Sequence, residues 1–143
     1  MMILGLDMGE KRIGVAKTDE LGMMAHAVGF VSRRTDKQAV AEIHKFVLEW
    51  KIQKVVIGLP KEMSGKVGKA ADKVTAFGEL IKQQFPEIEL EYWDERLSTR
   101  AKERMLIDSD VSRQKRRKVI DALAAQEILQ NYLDAHPRRF PAC

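Results

Sequence analysis

The stretch Met2-Ile3-Leu4-Gly5-Leu6-Asp7-Met8-Gly9-Glu10-Lys11-Arg12-Ile13-Gly14-Val15-Ala16-Lys17 decides the architecture. Its first half is an almost uninterrupted apolar run, the pattern of a strand buried on both faces. Met8-Gly9-Glu10-Lys11 reads as a tight turn, and Arg12 to Lys17 returns as a second strand. A further turn at Asp19-Glu20-Leu21-Gly22 leads into a third strand, Ala25 to Ser32, which completes an antiparallel meander. From Asp36 to Trp50 the spacing changes: Ala39, Val40, Ile43, Phe46, Val47 and Trp50 recur every three or four residues, as in an amphipathic helix. Lys54 to Leu59 reads as another buried strand, stopped by Pro60. A loop over 62–68 precedes a helix from Val67 to Gln84, and Ile88 to Trp93 alternates with period two, which predicts a half-exposed edge strand. Ser98 or Thr99 can cap a helix running to Ile107, a polar basic loop covers Asp108 to Lys118, and Val119 to Ala135 is the last helix. The expected fold class is therefore α/β, a mixed five-stranded sheet flanked by helices within one domain over 1–143, with 136–143 as a frayed tail.

Composition agrees with that outline. The 143 residues carry 25 Lys and Arg against 21 Asp and Glu, with 45% hydrophobic residues, so the chain is neither disordered nor fibrous. A chain of this length buries about two thirds of its unfolded surface, enough for one core and too little for two large lobes. Its one cysteine, Cys143, allows no internal disulfide and no cysteine metal cluster, which fits a reducing cytoplasm. No apolar run approaches the ~18 residues that span a bilayer, so neither a membrane partner nor a secretory signal is expected. The net charge of +4 is uneven: Arg96 to Lys118 holds nine basic and three acidic residues, a net +6 on a remainder of −2. Concentrated positive charge beside a near-neutral body points to a polyanion such as nucleic acid.

Four acidic residues sit where apolar elements end. Asp7 closes the first strand, Asp94 and Glu95 close the last, and Asp121 falls in the first turn of the expected last helix, on a stripe with Ala125, Ile128 and Tyr132. Each has an ordinary structural explanation, such as a turn acceptor for Asp7 or a helix-dipole partner for Asp121. Asp7 and Asp94/Glu95 occupy the carboxyl ends of strands, where open α/β sheets place their sites, and the last helix could place Asp121 beside them. Three converging carboxylates suit Mg²⁺ or Mn²⁺, and two such ions can drive phosphodiester hydrolysis, with Asp7 bridging them. Lys11, Arg12, Arg96, Arg100, Arg113, Lys115, Arg116, Arg117 and Lys118 would hold phosphates, mostly without reading bases. His26, His44 and His136 are too scattered to provide a general base, and Trp50 and Trp93 read as packing residues.

Four blocks carry a resemblance: Leu4 to Ala16, Val55-Val56-Ile57-Gly58-Leu59-Pro60, Asp94-Glu95-Arg96-Leu97-Ser98-Thr99, and Asp121-Ala122-Leu123-Ala124-Ala125 with Ile128 to Asp134. In order and spacing they resemble the YqgF family, the bacterial Holliday junction resolvase-like group associated with pre-rRNA processing. The resemblance implies a ribonuclease H-like fold and cytoplasmic, metal-dependent cleavage of nucleic acid. The partner it implies is precursor 16S rRNA or branched DNA, cut by a monomer or a homodimer. By position, Asp7, Asp94 or Glu95, and Asp121 would be the metal-binding and catalytic carboxylates, while Arg12, Gly9, Gly58 and Pro60 would shape the substrate side. One departure matters, because resolvases of this fold carry an acidic residue on the strand beside the first, and here that strand ends Ile57-Gly58-Leu59-Pro60. The acidic role then falls to the next strand, where the longer arm of Glu95 favours it over Asp94.

Two rival readings remain open on sequence. Asp7-x-Gly9-x-x-Arg12-x-Gly14 is also similar to the phosphate-binding hairpin of actin-like and sugar-kinase ATPases, but those enzymes close two lobes on the nucleotide. A non-catalytic RNA-binding or assembly module would keep the fold and the basic surface without cleavage.

Overall fold

The central strand, β1 (Ile3–Met8), is apolar on both faces because helices cover both. In the computed structural model, which describes residues 2–9, 11–59, 69–94 and 113–136, β2 (Arg12–Thr18) and β3 (Ala25–Ser32) follow β1 as an antiparallel meander. Helix α1 (Asp36–Trp50) leads to β4 (Lys54–Leu59), and α2 (Lys69–Gln84) leads to β5 (Glu89–Asp94). Helix α3 (Arg113–Ala135) completes the described elements. The sheet order is β3-β2-β1-β4-β5, with β4 parallel to both β1 and β5. The alternating segment is thus at the edge, as its half-exposed pattern demands. The helix expected over 98–107 and the loop over 62–68 lie outside the described residues.

Two clusters form the core, one on each face of the sheet. Leu4, Leu6, Ile13, Val15, Val55 and Ile57 pack against Ile43, Val47, Val74, Phe77 and Ile81 of α1 and α2. On the other face Ile3, Ala16 and Val56 meet Ala125, Ile128, Leu129, Tyr132 and Leu133 of α3. Thr35 caps α1, its side chain accepting from the Gln38 amide, and Lys51 ends the helix in the left-handed region. Trp50 stacks on Phe46 with Lys17 above its ring, and Trp93 meets Tyr132 edge to face, so both tryptophans are packing residues.

Helix α3 lies unusually close to the sheet because two glycines admit it. A Cβ on Gly5 would come within 2.8 Å of Leu129 Cβ, and one on Gly14 within 1.9 Å of the Asp121 carbonyl oxygen. At the edge, α3 also reaches the start of β3: the Ala25 amide donates to Gln130 Oε1, and Gln126 Nε2 donates to the Ala25 carbonyl.

One expectation is corrected. Residues 113–118, read as part of a basic loop, form the first turns of α3. Arg, Lys and Gln are strong helix formers, and this segment needs no apolar stripe of its own when the following turns supply the packing. In consequence Asp121 lies about two turns inside the helix rather than in its first turn, which removes the helix-dipole explanation for its charge.

Candidate active site

Strand alternation places Asp7. Gly5 faces α3, so Asp7, two residues on, faces α3 as well. Asp7 stands in register with Gly14 across the β1–β2 ladder, and directly opposed residues share a face at about 5 Å. Gly14 is the point where the Asp121 backbone touches the sheet. A side chain at position 14 would hold the helix away; its absence brings Asp7 and Asp121 to one face at one end of the sheet. That end carries the carboxyl termini of the parallel strands β1, β4 and β5.

Arg12 is the cation of this corner. Its Nε donates to Asp121 Oδ2 at 2.7 Å, with both side chains largely shielded from solvent. Sequence reading assigned Arg12 to phosphates, and here it also orients and neutralises Asp121, a pairing across 109 residues that no local pattern announces. Gly9 closes the β1–β2 turn, its amide donating to the Arg12 carbonyl at 2.9 Å. Lys11 is exposed on that turn. Gly58 is buried in β4 opposite Trp93, and Asp94 is the last residue of β5, in register with Leu59. Glu95, Arg96, Arg100 and Pro60 lie outside the described residues, while Arg113, Lys115, Arg116, Arg117 and Lys118 belong to α3. The site therefore gathers Asp7, Arg12 and Asp121, with β5 ending two strands away from β1.

Away from that corner, Lys54 is held by Glu91 at 2.7 Å and by the Tyr132 hydroxyl. Burial works against the Lys54 charge, but the hydrogen bonds to Glu91 and Tyr132 outweigh it and raise its pKa. The Lys54 hydrogen bond lowers the pKa of Glu91, and burial raises that of Tyr132. This cluster pins the last turns of α3 to β4 and β5.

The donor set suits a hard divalent cation, since every candidate ligand is a carboxylate. Among the described residues no group of three or more possible ligands is assembled.

A five-stranded sheet in this order, with a meander, two crossover helices and a helix across the opposite face, defines the class: the chain has the ribonuclease H-like fold of the resolvases. The fowlpox virus resolvase in complex with Holliday junction DNA superposes with a TM-score of 0.59 at 15% identity, covering 96% of this chain and all of that one. RuvC of Thermus thermophilus, also with a junction, gives 0.52 at 12% identity over 96% of each chain. The family model described as "RuvX: Holliday junction resolvase" matches residues 1–135, and the chain belongs to that family. Relatives named for pre-16S rRNA nuclease activity include one from Clostridioides difficile strain 630, 50% identical over 92% of this chain and 93% of its own length. Another, from Clostridium beijerinckii, is 43% identical over 97% of this chain and its whole length.

Proposed function

We propose that this chain is a divalent-metal-dependent nuclease that hydrolyses phosphodiester bonds of nucleic acid in the cytoplasm, with precursor 16S rRNA as its substrate. The observation that carries the reading is the placement of Asp7 and the Asp121 backbone beside Gly14, on one face of the sheet at the carboxyl ends of parallel strands. Family membership and the names of the relatives support the reaction class and the substrate. Among the described residues no helix is long and apolar enough to cross a membrane.

Asp7, Asp121 and one of the 94–95 pair would hold the metal. On the α3 face of β5, Glu91 meets Lys54 and Trp93 meets Tyr132, so the strand that leads into the 94–95 pair is packed against the same helix that carries Asp121. Bound there, the metal would supply an activated water and neutralise charge developing at the phosphate. Asp7 is half-buried at the end of a buried strand, on elements that fix its backbone position. Arg12 holds Asp121 in place through its 2.7 Å ion pair, and Lys11 on the adjoining turn offers charge to the incoming phosphate.

The test is incubation of purified protein with a labelled 5′-extended 16S rRNA fragment and a four-way DNA junction, in Mg²⁺ or Mn²⁺, beside Asp7→Asn. The RNA should be cut, the variant should bind it without cutting, and EDTA should stop the wild type. Full cleavage by Asp7→Asn refutes the assignment of Asp7, and preferential cutting of the junction refutes the substrate. The Arg12–Asp121 pair favours one competing reading, a non-catalytic RNA-binding module whose carboxylate serves only to position an arginine. Salt-sensitive RNA affinity without cleavage in any metal would establish that reading instead.

A further inference from the structure

The meander reverses direction twice, so the carboxyl end of β3 returns to the end of the sheet where Asp7 lies, with Ser32 in register with Arg12. Helix α1 therefore starts at that end. So does α2, the crossover between the parallel strands β4 and β5. Between the two starts lies an open cavity of about 470 Å³, lined by Arg33, Arg34, Thr35, Asp36 and Lys73. It is on the face of the sheet opposite α3.

Three of these residues are occupied in building the corner. Arg33 Nε donates to Asp36 Oδ1 at 2.9 Å and its Nη1 donates to the Gly9 carbonyl at 2.9 Å, which ties the β1–β2 turn to the start of α1. Thr35 caps the helix. Arg34 and Lys73 are different. Both are exposed, and neither has a side-chain hydrogen bond or ion pair among the described residues. With Arg33 neutralising Asp36, the cavity keeps two cations, Arg34 and Lys73, without an ion pair among the described residues; they lie 39 residues apart in sequence on separate segments. The nearest acidic residue along α2, Asp72, is itself exposed beside Lys73. Two converging cations in a shallow, water-filled cleft fit a singly charged, repeating anion better than a compact buried one.

Resting on the nuclease reading above, we propose that the Arg34–Lys73 cleft is a second phosphate-binding surface, which grips the backbone of the nucleic-acid strand on the α1–α2 side of the catalytic end. The Arg33 contact to Gly9 connects it directly to the turn that follows Asp7. The strand thus crosses the end of the sheet, held near Lys11 and Arg12 at the reacting position and by Arg34 and Lys73 beyond it. Contacts of this kind read charge and spacing, so they act on RNA and DNA alike and leave base sequence unread.

The test is the affinity of the full chain for single-stranded RNA and DNA probes across a salt series in EDTA, which removes cleavage from the measurement. Arg34→Ala/Lys73→Ala is compared with wild type and with Lys45→Ala/Lys82→Ala, which removes the same charge further along α1 and α2, away from their starts. Single-stranded contacts contribute a salt slope of about 0.7 each, so loss of two should flatten the slope by about 1.4 and weaken binding about 25-fold at about 0.1 M salt. The control pair should bind as wild type, and circular dichroism melts should coincide for all three proteins. Unchanged affinity and slope in the cleft variant, or an equal loss in the control, overturns the proposal. Weakening confined to RNA or to DNA overturns its phosphate-only chemistry. If wild type binds but never cleaves, the nuclease reading fails and the cleft stands. If cleavage depends on Asp7 while the cleft variant keeps its affinity, the cleft fails and the nuclease reading stands.

Discussion

Replacing Gly14 by alanine adds a single methyl group at the point where helix and sheet set the relation between two carboxylates. The new Cβ would lie 1.9 Å from the Asp121 carbonyl oxygen and 2.5 Å from its carbonyl carbon, where ordinary contact begins at 3.4 Å. Backbone cannot rotate away as a side chain can, so α3 must retreat by about 1.5 Å at this turn, the difference between those two distances. Overpacking of this kind costs about 1–3 kcal/mol and should lower Tm by about 3–10 °C. The same displacement carries the Asp121 carboxylate out of place, and a misplacement of about 1 Å in a catalytic group costs about 100-fold in rate. Gly5→Ala is the comparison, since its Cβ meets the Leu129 side chain at 2.8 Å, further along the helix. That variant should lose stability with a much smaller loss of cleavage. Thermal melts and single-turnover cleavage of the precursor RNA measure the two effects separately. Wild-type cleavage by a folded Gly14→Ala protein would show that the approach of α3 at Gly14 does not set the site.

Two further outcomes follow from named contacts. Arg12→Ala should destabilise by about 1–3 kcal/mol in urea, because it leaves a shielded carboxylate unpaired, and Asp121→Asn in that background should add little; additive losses would show that the pair is not coupled. Glu91 has its pKa lowered from 4.5 by Lys54, so its contribution to stability is present above that pH and is lost as pH falls through the lower folded value. The stability advantage of wild type over Glu91→Gln should therefore shrink on acidification below about pH 4.5, and an advantage that grows there would reverse the sign of the linkage.

Much of the fold was legible because the meander follows from short connections and buried apolar runs, and because the period-two pattern of Ile88 to Trp93 suits a sheet edge, where β5 is found. The start of α3 was not, since helix propensity in a run of Arg, Lys and Gln leaves no apolar period to detect. Asp7 could be singled out as a charge ending a buried strand, but its relation to Asp121 depends on Gly14, whose importance appears only when a helix is seen against it. The cavity formed by Arg33, Arg34 and Lys73 near the end of the sheet that carries Asp7 was not read from the sequence. A signal was available for two of them: after two reversals, whatever follows β3 must lie beside the end of β1. Lys73 required knowledge of where α2 begins in space.

The two glutamines that α3 extends to Ala25 have a meaning for assembly. β3 is an outer strand, and an outer strand offers unpaired amides and carbonyls to any passing chain. Gln130 accepts from the Ala25 amide and Gln126 donates to its carbonyl, so two side-chain amides imitate the neighbour that an added strand would have been. The sheet is thereby finished from within at the first residue of its exposed border. The helix that carries Asp121 to the end of the sheet also covers the first residue of its outer strand, where an added strand would otherwise begin to pair.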